Sequence, residues 1–303
     1  MTISVNLIGV PMDLGGGRRG VEMGPSALRI AGIGAGIRSL GFAYSDEGNV
    51  PVPRPESRDP GDPSAKYLPE IARCCGRLRD RVERVHDAGG LPLVVGGDHS
   101  IAVGSIAATA AWHGTRGTPI GLIWFDSHGD FNTPATSPSG NVHGMPLAAC
   151  LGVAPDALLA IGASVPMVRP EHTALVGIHS LDGGERDLLR RSGATVFTVR
   201  DVDMRGIDAV MKEAIRIATT GTAGFHLSYD MDGCDPAIAP GVGTPVRGGL
   251  TYRESHLVME HAAESGALLS LDVVEINPIL DERNRTAELA VELVLSALGK
   301  RVY

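Results

Sequence analysis

Several things are scarce in this 303-residue chain, and each scarcity excludes something. Only four cysteines occur, the adjacent Cys74 and Cys75, then Cys150 and Cys234. That is too few for a disulfide framework at this length, and no CxxC spacing signals structural zinc, so the thiols read as reduced and incidental. No apolar run approaches the roughly 18 residues that span a bilayer. The N-terminus lacks the charged segment, apolar core and cleavage site of a secretory leader. It opens instead on alternating Ile3, Val5 and Leu7, which read as a first strand. The cytoplasm is therefore the expected compartment, with no membrane partner. Basic residues are also short, with 27 Lys and Arg against 35 Asp and Glu and a net charge of −8. A nucleic-acid binder would show a basic patch, so no nucleic-acid partner is expected. An acidic balance suits a cleft that draws in cations, although charges spread over solvated faces give the same total.

What the chain does have is ample apolar material, 43% of its residues. It falls in short runs rich in Val, Ile and Leu: Val5–Val10, Leu91–Val95, Ile120–Phe125, Leu158–Ile161, Thr195–Val199, Phe225–Tyr229 and Leu268–Val274. Between them lie longer stretches of helical periodicity, Leu68–His86, Ile207–Ala218 and Thr286–Leu298. Near-continuous apolar strands alternating with helices predict an α/β fold, a mostly parallel sheet covered by helices on both faces. We read residues 1–303 as one such domain. Pro51–Ser64, with five prolines, reads as a surface excursion, and Thr133–Gly140 as a polar loop.

The residues capable of chemistry sit where the apolar runs end. Leu91–Val95 leads into Asp98 and His99, Ile120–Phe125 into Asp126, His128 and Asp130, Phe225–Tyr229 into Asp230 and Asp232, and Leu268–Val274 into Glu275. In open parallel sheets the carboxyl ends of the strands line the ligand crevice, so clusters distant in sequence are expected to meet. In extended chain, positions i, i+2 and i+4 face one way, which would present Asp126, His128 and Asp130 together. A lone DxD usually caps a turn and a lone histidine is usually packed or exposed. Three such patterns in phase with strand ends are a different matter. That many carboxylates cannot converge without cations, because repulsion would force protons onto some of them. Two divalent ions resolve the conflict and would generate a hydroxide at neutral pH. An oxygen-rich set without thiolate favours Mn²⁺. His86, His113, His172, His226, His256 and His261 are assigned no special role.

Read together, these motifs resemble the arginase family of ureohydrolases along almost the whole chain. The likeness runs through Arg19-Gly20-Val21-Glu22-Met23-Gly24-Pro25, Gly97-Asp98-His99-Ser100, Asp126-Ser127-His128-Gly129-Asp130 and Ser139-Gly140-Asn141-Val142-His143-Gly144. It continues through Ser228-Tyr229-Asp230-Met231-Asp232-Gly233, Gly243-Thr244-Pro245 and Glu275-Ile276-Asn277-Pro278. Within the family, the Ser139–Gly144 segment looks like the true, bacterial-type arginases.

The resemblance implies an arginase-like three-layer fold and hydrolysis of L-arginine to L-ornithine and urea at two Mn²⁺ per subunit. It implies one ion held by His99, Asp126, Asp130 and Asp230, and the other by His128, Asp126, Asp230 and Asp232. Glu275 would hold the guanidinium with help from Thr244, Asp130 would carry a proton, and His143 would exchange protons with solvent. Asn132, Ser137, Ser139, Asn141, Asp182 and Glu185 would bind the α-carboxylate and α-ammonium. A homo-oligomer, trimer or hexamer, is implied as well. Alternatives are a ureohydrolase acting on agmatine, guanidinobutyrate or another guanidino compound, and a non-catalytic ligand-binding homologue. Ser127 stands where the family usually has alanine; it is expected to point away from the metals and make only a local hydrogen bond. Gly129 and His179 also depart from the common pattern.

Overall fold

A computed structural model describes residues 3–301. The strands are β1 (Ser4–Val10), β2 (Ala43–Asn49), β3 (Leu91–Gly96), β4 (Gly121–Phe125), β5 (Thr173–Ile178), β6 (Thr195–Thr198), β7 (Phe225–Asp230) and β8 (Leu268–Val274). They form one sheet in the order β2-β1-β3-β8-β7-β4-β5-β6, and every neighbouring pair is parallel. The expected α/β architecture is therefore present.

Helices cover both faces because the strands are apolar on both sides. On one face lie α1 (Gly24–Ile30), α2 (Ile33–Ser39), α8 (Val199–Arg205), α9 (Ile207–Thr219), α10 (Tyr252–Glu264) and α11 (Arg285–Ala297). They pack with Val5, Leu7, Leu93, Ile123, Phe125, Leu227, Tyr229 and Leu271. On the other face lie α3 (Leu68–Asp87), α4 (Ala102–Gly114), α5 (Pro146–Cys150), α6 (Asp156–Leu159) and α7 (Gly183–Ser192). Those pack on Ile8, Val10, Val94, Leu122, Trp124 and Leu175. Helix α3 shows how sequence sets this arrangement. Its buried residues Ile71, Cys74, Cys75, Leu78, Val82 and Val85 recur at three- and four-residue intervals, a single apolar stripe. No helix among the described residues is long and apolar enough to cross a membrane.

Two local expectations are corrected. Leu158–Ile161 is not a strand: Asp156–Leu159 forms a single helical turn, with the amides of Leu158 and Leu159 donating to the Pro155 carbonyl. A run of four apolar residues is too short for periodicity to decide, and Pro155-Asp156 is a helix-starting pair. The strand in that part of the chain is β5, Thr173–Ile178, all buried. Strand β2, Ala43–Asn49, carries few apolar residues because it is a half-exposed sheet edge, so its pattern gave no signal. Residues 51–64 hold only one 3₁₀ turn, Pro55–Ser57, and run over the surface.

One glycine ties the central strands together at the site end. Gly97 donates to the Val10 carbonyl at 2.9 Å, and its own carbonyl accepts from the Glu275 amide at 2.8 Å. A Cβ there would run into the backbone of Met12. Replacing Gly97 with Ala is therefore expected to destabilise the fold by roughly 1–3 kcal/mol, the usual cost of overpacking. Urea unfolding checks this; an unchanged midpoint would mean that the β1 end yields freely.

Candidate metal centre

Strands β3, β8, β7 and β4 are consecutive neighbours in the sheet, and their carboxyl ends carry His99, Glu275, Asp230 and Asp126 respectively. His99 opens a 3₁₀ turn, His99–Ile101, directly after β3. Asp230 is the last residue of β7, and Asp232 lies in the following turn, Met231–Gly233. The convergence does not come from extended alternation as the spacing suggested. After Phe125 the chain bends, and Asp130 adopts a left-handed conformation with φ 50°. Glu275 does the same at φ 66°. Such a backbone costs a non-glycine residue on the order of 1–3 kcal/mol and persists only where its surroundings hold it. Here the Asp130 carbonyl accepts from the amides of Leu147 and Ala148.

Two clusters result, and they share Asp126. His99 Nδ1 lies 3.2 Å from Asp126 Oδ2, 3.2 Å from Asp130 Oδ2 and 3.1 Å from Asp230 Oδ2. His128 Nδ1 lies 3.1 Å from Asp232 Oδ2 and 3.4 Å from Asp126 Oδ1. The two oxygens of Asp126 thus divide between the two imidazoles. Asp230 belongs to the His99 cluster. His99 Nδ1 is buried without a hydrogen-bond partner amid those carboxylate oxygens. An unpartnered nitrogen facing three carboxylates, in a set with no thiolate, fits a hard or borderline divalent cation.

Burial and charge pull these groups in opposite directions. Burial works against the charged form of His99, but Asp126, Asp130 and Asp230 outweigh it and hold the imidazole well above its ordinary pKa. His128 is raised in the same way, burial opposing and Asp232 and Asp126 prevailing. Asp126 is held low: burial pushes it up, and the two histidines more than compensate. Asp230 rises well above the usual carboxylate range through burial and the charges of Asp232 and Asp126. Asp130 is pushed up to about 6 by burial and by Asp126. Without an ion, protons therefore stand in for the missing positive charge.

Groups that the sequence reading passed over hold these ligands in place. Trp124 stacks on His99 with ring centroids 4.0 Å apart, and its Nε1 donates to Asp126 Oδ2 at 3.0 Å. His99 Nε2 pairs with Ser228 Oγ at 2.8 Å. Ser127 corrects an expectation. Its hydroxyl does not stop at a local bond but donates across the strand ends to Asp232 Oδ1 at 2.8 Å. The bend after Phe125 brings residue 127 over the end of β7. The available signal was a polar residue inside an otherwise apolar, buried strand, as at Ser228 and Asp272.

Above the clusters opens a cavity of about 110 Å³ lined by His128, Asp130, Asn132, Ser137, Ser139, Asn141, His143, Asp182, Glu185, Asp230, Asp232, Thr244 and Glu275. His99 and Asp126 are fully buried behind that lining, His99 Nδ1 lying 3.2 Å from Asp130 and 3.1 Å from Asp230. Glu275 belongs to neither cluster. Its Oε1 accepts from the His99 amide at 3.0 Å and pairs with His143 Nδ1 at 2.9 Å. Burial opposes charge on His143, but Glu275 raises it to about 9. At the outer wall, Asn132 Nδ2 donates to Asp182 Oδ2 at 3.0 Å. Glu185 accepts from the amides of Phe131 and Asp182, and burial, then the charge of Asp130, lifts it to about 7. Thr244 Oγ1 donates to Asp232 Oδ2 at 2.8 Å, so it supports a cluster residue directly. Every candidate site residue thus lines the cavity except His99 and Asp126, which lie buried against its lining carboxylates.

Ligand imidazoles must lose a proton before they bind a metal. The raised histidines stabilise the ion-free fold fully below the unfolded-state value near 6.5, and that contribution fades as pH rises through their higher folded values. Cation affinity is therefore expected to rise as pH increases above the ordinary histidine value near 6.5, with protons released on binding. Calorimetry in buffers of different ionisation enthalpy checks this; binding without proton release would contradict it.

The comparisons with known proteins agree with this geometry. The model of the Arginase family matches residues 3–299. An arginase of Bacillus caldovelox is 49% identical over 98% of this chain and 99% of its own. Its structure superposes with a TM-score of 0.94 at 48% identity and full coverage of both chains. An arginase of Entamoeba histolytica in complex with L-ornithine gives 0.91 at 33% identity, covering 99% of this chain and all of the other. A hypothetical agmatinase of Burkholderia thailandensis gives 0.72 at 25% identity, over 98% and 85%. With its parallel sheet, its paired carboxylate–imidazole clusters and this full-length match, the chain belongs to the arginase family.

Proposed function

We propose that this chain hydrolyses L-arginine to L-ornithine and urea with two Mn²⁺ per subunit. The observation that carries the reading is a cavity lined by residues of two clusters that share Asp126, with a carboxylate outside both clusters, Glu275, in the same wall. A guanidinium is a poor electrophile, stabilised by resonance and positively charged, so its hydrolysis requires a strong nucleophile. When bound, a pair of divalent ions supplies it by lowering the pKa of water to near neutrality. His99, Asp126, Asp130 and Asp230 would hold one ion. His128, Asp126, Asp230 and Asp232 would hold the other.

The remaining steps belong to side chains. Glu275 keeps Oε1 engaged with the His99 amide and His143, so Oε2 is left to take the cationic guanidinium and orient its carbon toward the clusters. Asp130, beside His99 and raised towards neutrality, carries a proton to the leaving amine. His143, partly exposed and charged at neutral pH, exchanges protons with solvent. Asn132, Ser137, Ser139 and Asn141 offer donors for an α-carboxylate, and Asp182 with Glu185 offers acceptors for an α-ammonium. Agmatine lacks that carboxylate, which is why arginine is preferred in this reading. The lesser likeness to the agmatinase fits the same preference. We further propose a cytoplasmic homo-oligomer, a trimer or hexamer.

Urea release measured on L-arginine, agmatine and guanidinobutyrate with added Mn²⁺ tests the substrate; a preference for agmatine would overturn it. Asp126→Asn is expected to lose metal and turnover together, because both clusters need that residue. Glu275→Gln should keep both ions, measured by atomic absorption, and lose at least about a hundredfold in turnover; concurrent metal loss would show that Glu275 is a ligand. His143→Ala should retain partial activity with a shifted pH profile, losing less than the roughly 10²–10⁴-fold of a sole general acid.

A further inference from the structure

Behind the ligands lie two sets of hydrogen-bonding groups that share no residue. On the His99 side, Nε2 lies 2.8 Å from Ser228 Oγ, and because Ser228 Oγ donates its own proton to Asp272 Oδ2 at 3.4 Å, Nε2–H is the donor to it. Ser228 and Asp272 are register partners on β7 and β8, and both are fully buried. Asp272 Oδ2 also accepts from Ser105 Oγ at 2.6 Å. His226 Nε2 stands 2.9 Å from that oxygen, off the line of a hydrogen bond. On the His128 side, Ser127 Oγ lies 2.8 Å from Asp232 Oδ1 and 3.1 Å from His128 Nδ1. A hydroxyl has one proton to donate, and the nearer, charged carboxylate is the stronger acceptor. Asp232 Oδ2, which also accepts from Thr244 Oγ1 at 2.8 Å, is thereby held facing His128 Nδ1.

We propose that the two ion subsites are positioned separately, His99 by Ser228 with Asp272, and Asp232 by Ser127. The inference rests on the metal-pair reading above. An imidazole offers one nitrogen to a metal only when the proton on the other is engaged, and that engagement fixes both tautomer and ring orientation. Ser228 accepts the Nε2 proton of His99 and passes its own to a buried carboxylate, so Nδ1 is the nitrogen that faces Asp126, Asp130 and Asp230 and is left for an ion. Without Ser228 the buried N–H would be orphaned. A carboxylate has the opposite problem, two equivalent oxygens on a rotatable bond. Ser127 pins one of them, so the other is the atom presented beside His128. Ser127, Ser228 and Asp272 touch neither substrate nor ion, and they are positioning residues.

Ser127→Ala, Ser228→Ala and the near-isosteric Asp272→Asn test this, with the thermal midpoint of each ion-free variant showing that it folds. Equilibrium dialysis against Mn²⁺ should show wild type binding two ions. Each variant should keep one of them unchanged and bind the other about 10–100-fold more weakly. At limiting Mn²⁺, electron paramagnetic resonance should then show an isolated ion in place of the coupled pair. The Ser228 and Asp272 variants should match His99→Asn in that spectrum, and Ser127→Ala should match His128→Asn. Ser228→Thr, which keeps the hydroxyl, should restore the pair. Both ions loosened together, both kept, or the two spectra exchanged would each overturn the proposal. A wild-type protein that holds no pair of ions would instead overturn the reading beneath it, and this proposal with it.

Discussion

Everything at the carboxyl ends of the central strands answers to one constraint, the repulsion among carboxylates crowded into a dry site. Two like charges 4 Å apart repel by about 4 kcal/mol at the effective dielectric of a protein. Several such pairs together approach the roughly 5–15 kcal/mol that separates a folded domain from its unfolded chain. Asp126, Asp130, Asp230 and Asp232 are all buried, so positive charge must enter the cluster for it to exist. Protons on His99 and His128 supply some of it when no cation is bound, and the raised Asp230 and Asp130 show that they do not supply enough. The same imbalance that strains the ion-free site is what gives it affinity for divalent cations.

The sheet makes this crowding tolerable by holding it rigid. Four neighbouring parallel strands end at one level, and both faces beneath them are packed with apolar side chains. That packing sustains left-handed backbone at Asp130 and Glu275, two residues whose side chains border the cavity. Gly97 stitches the ends of β1, β3 and β8 through backbone hydrogen bonds. A site built on loops alone would relax away from such geometry, because repulsion and backbone strain both favour opening it.

The outer wall depends on a different part of the chain. The residues just after the proline-rich excursion buttress the polar loop of the site: the Lys66 amide donates to the Gly140 carbonyl, and Lys66 Nζ reaches Asn141 Oδ1 at 3.3 Å. Arg19 pairs with Asp13, Glu22 and Glu56, joining the segment after β1, which contains Gly15-Gly16-Gly17, to the proline-rich excursion. Segments that look like filler in the sequence therefore brace Asn141, one of the residues in the cavity wall, and the loop before it.

Much of this was legible beforehand. Parallel α/β order followed from apolar runs alternating with helical periodicity, because a strand buried on both faces must be apolar throughout. Placement of His99, Asp126, Asp230 and Glu275 at one rim followed from their position just after such runs. The helical turn at Asp156–Leu159 and the edge strand Ala43–Asn49 were not legible, since four apolar residues fit either state and an exposed edge needs no apolar pattern. Composition and strand order by themselves determined that acidic and imidazole groups would meet above a sheet. Only the tertiary structure decided which oxygen faces which nitrogen, that Asp126 is shared, and that Ser127 reaches Asp232, because bends, left-handed residues and contacts between distant strands leave no trace in local spacing.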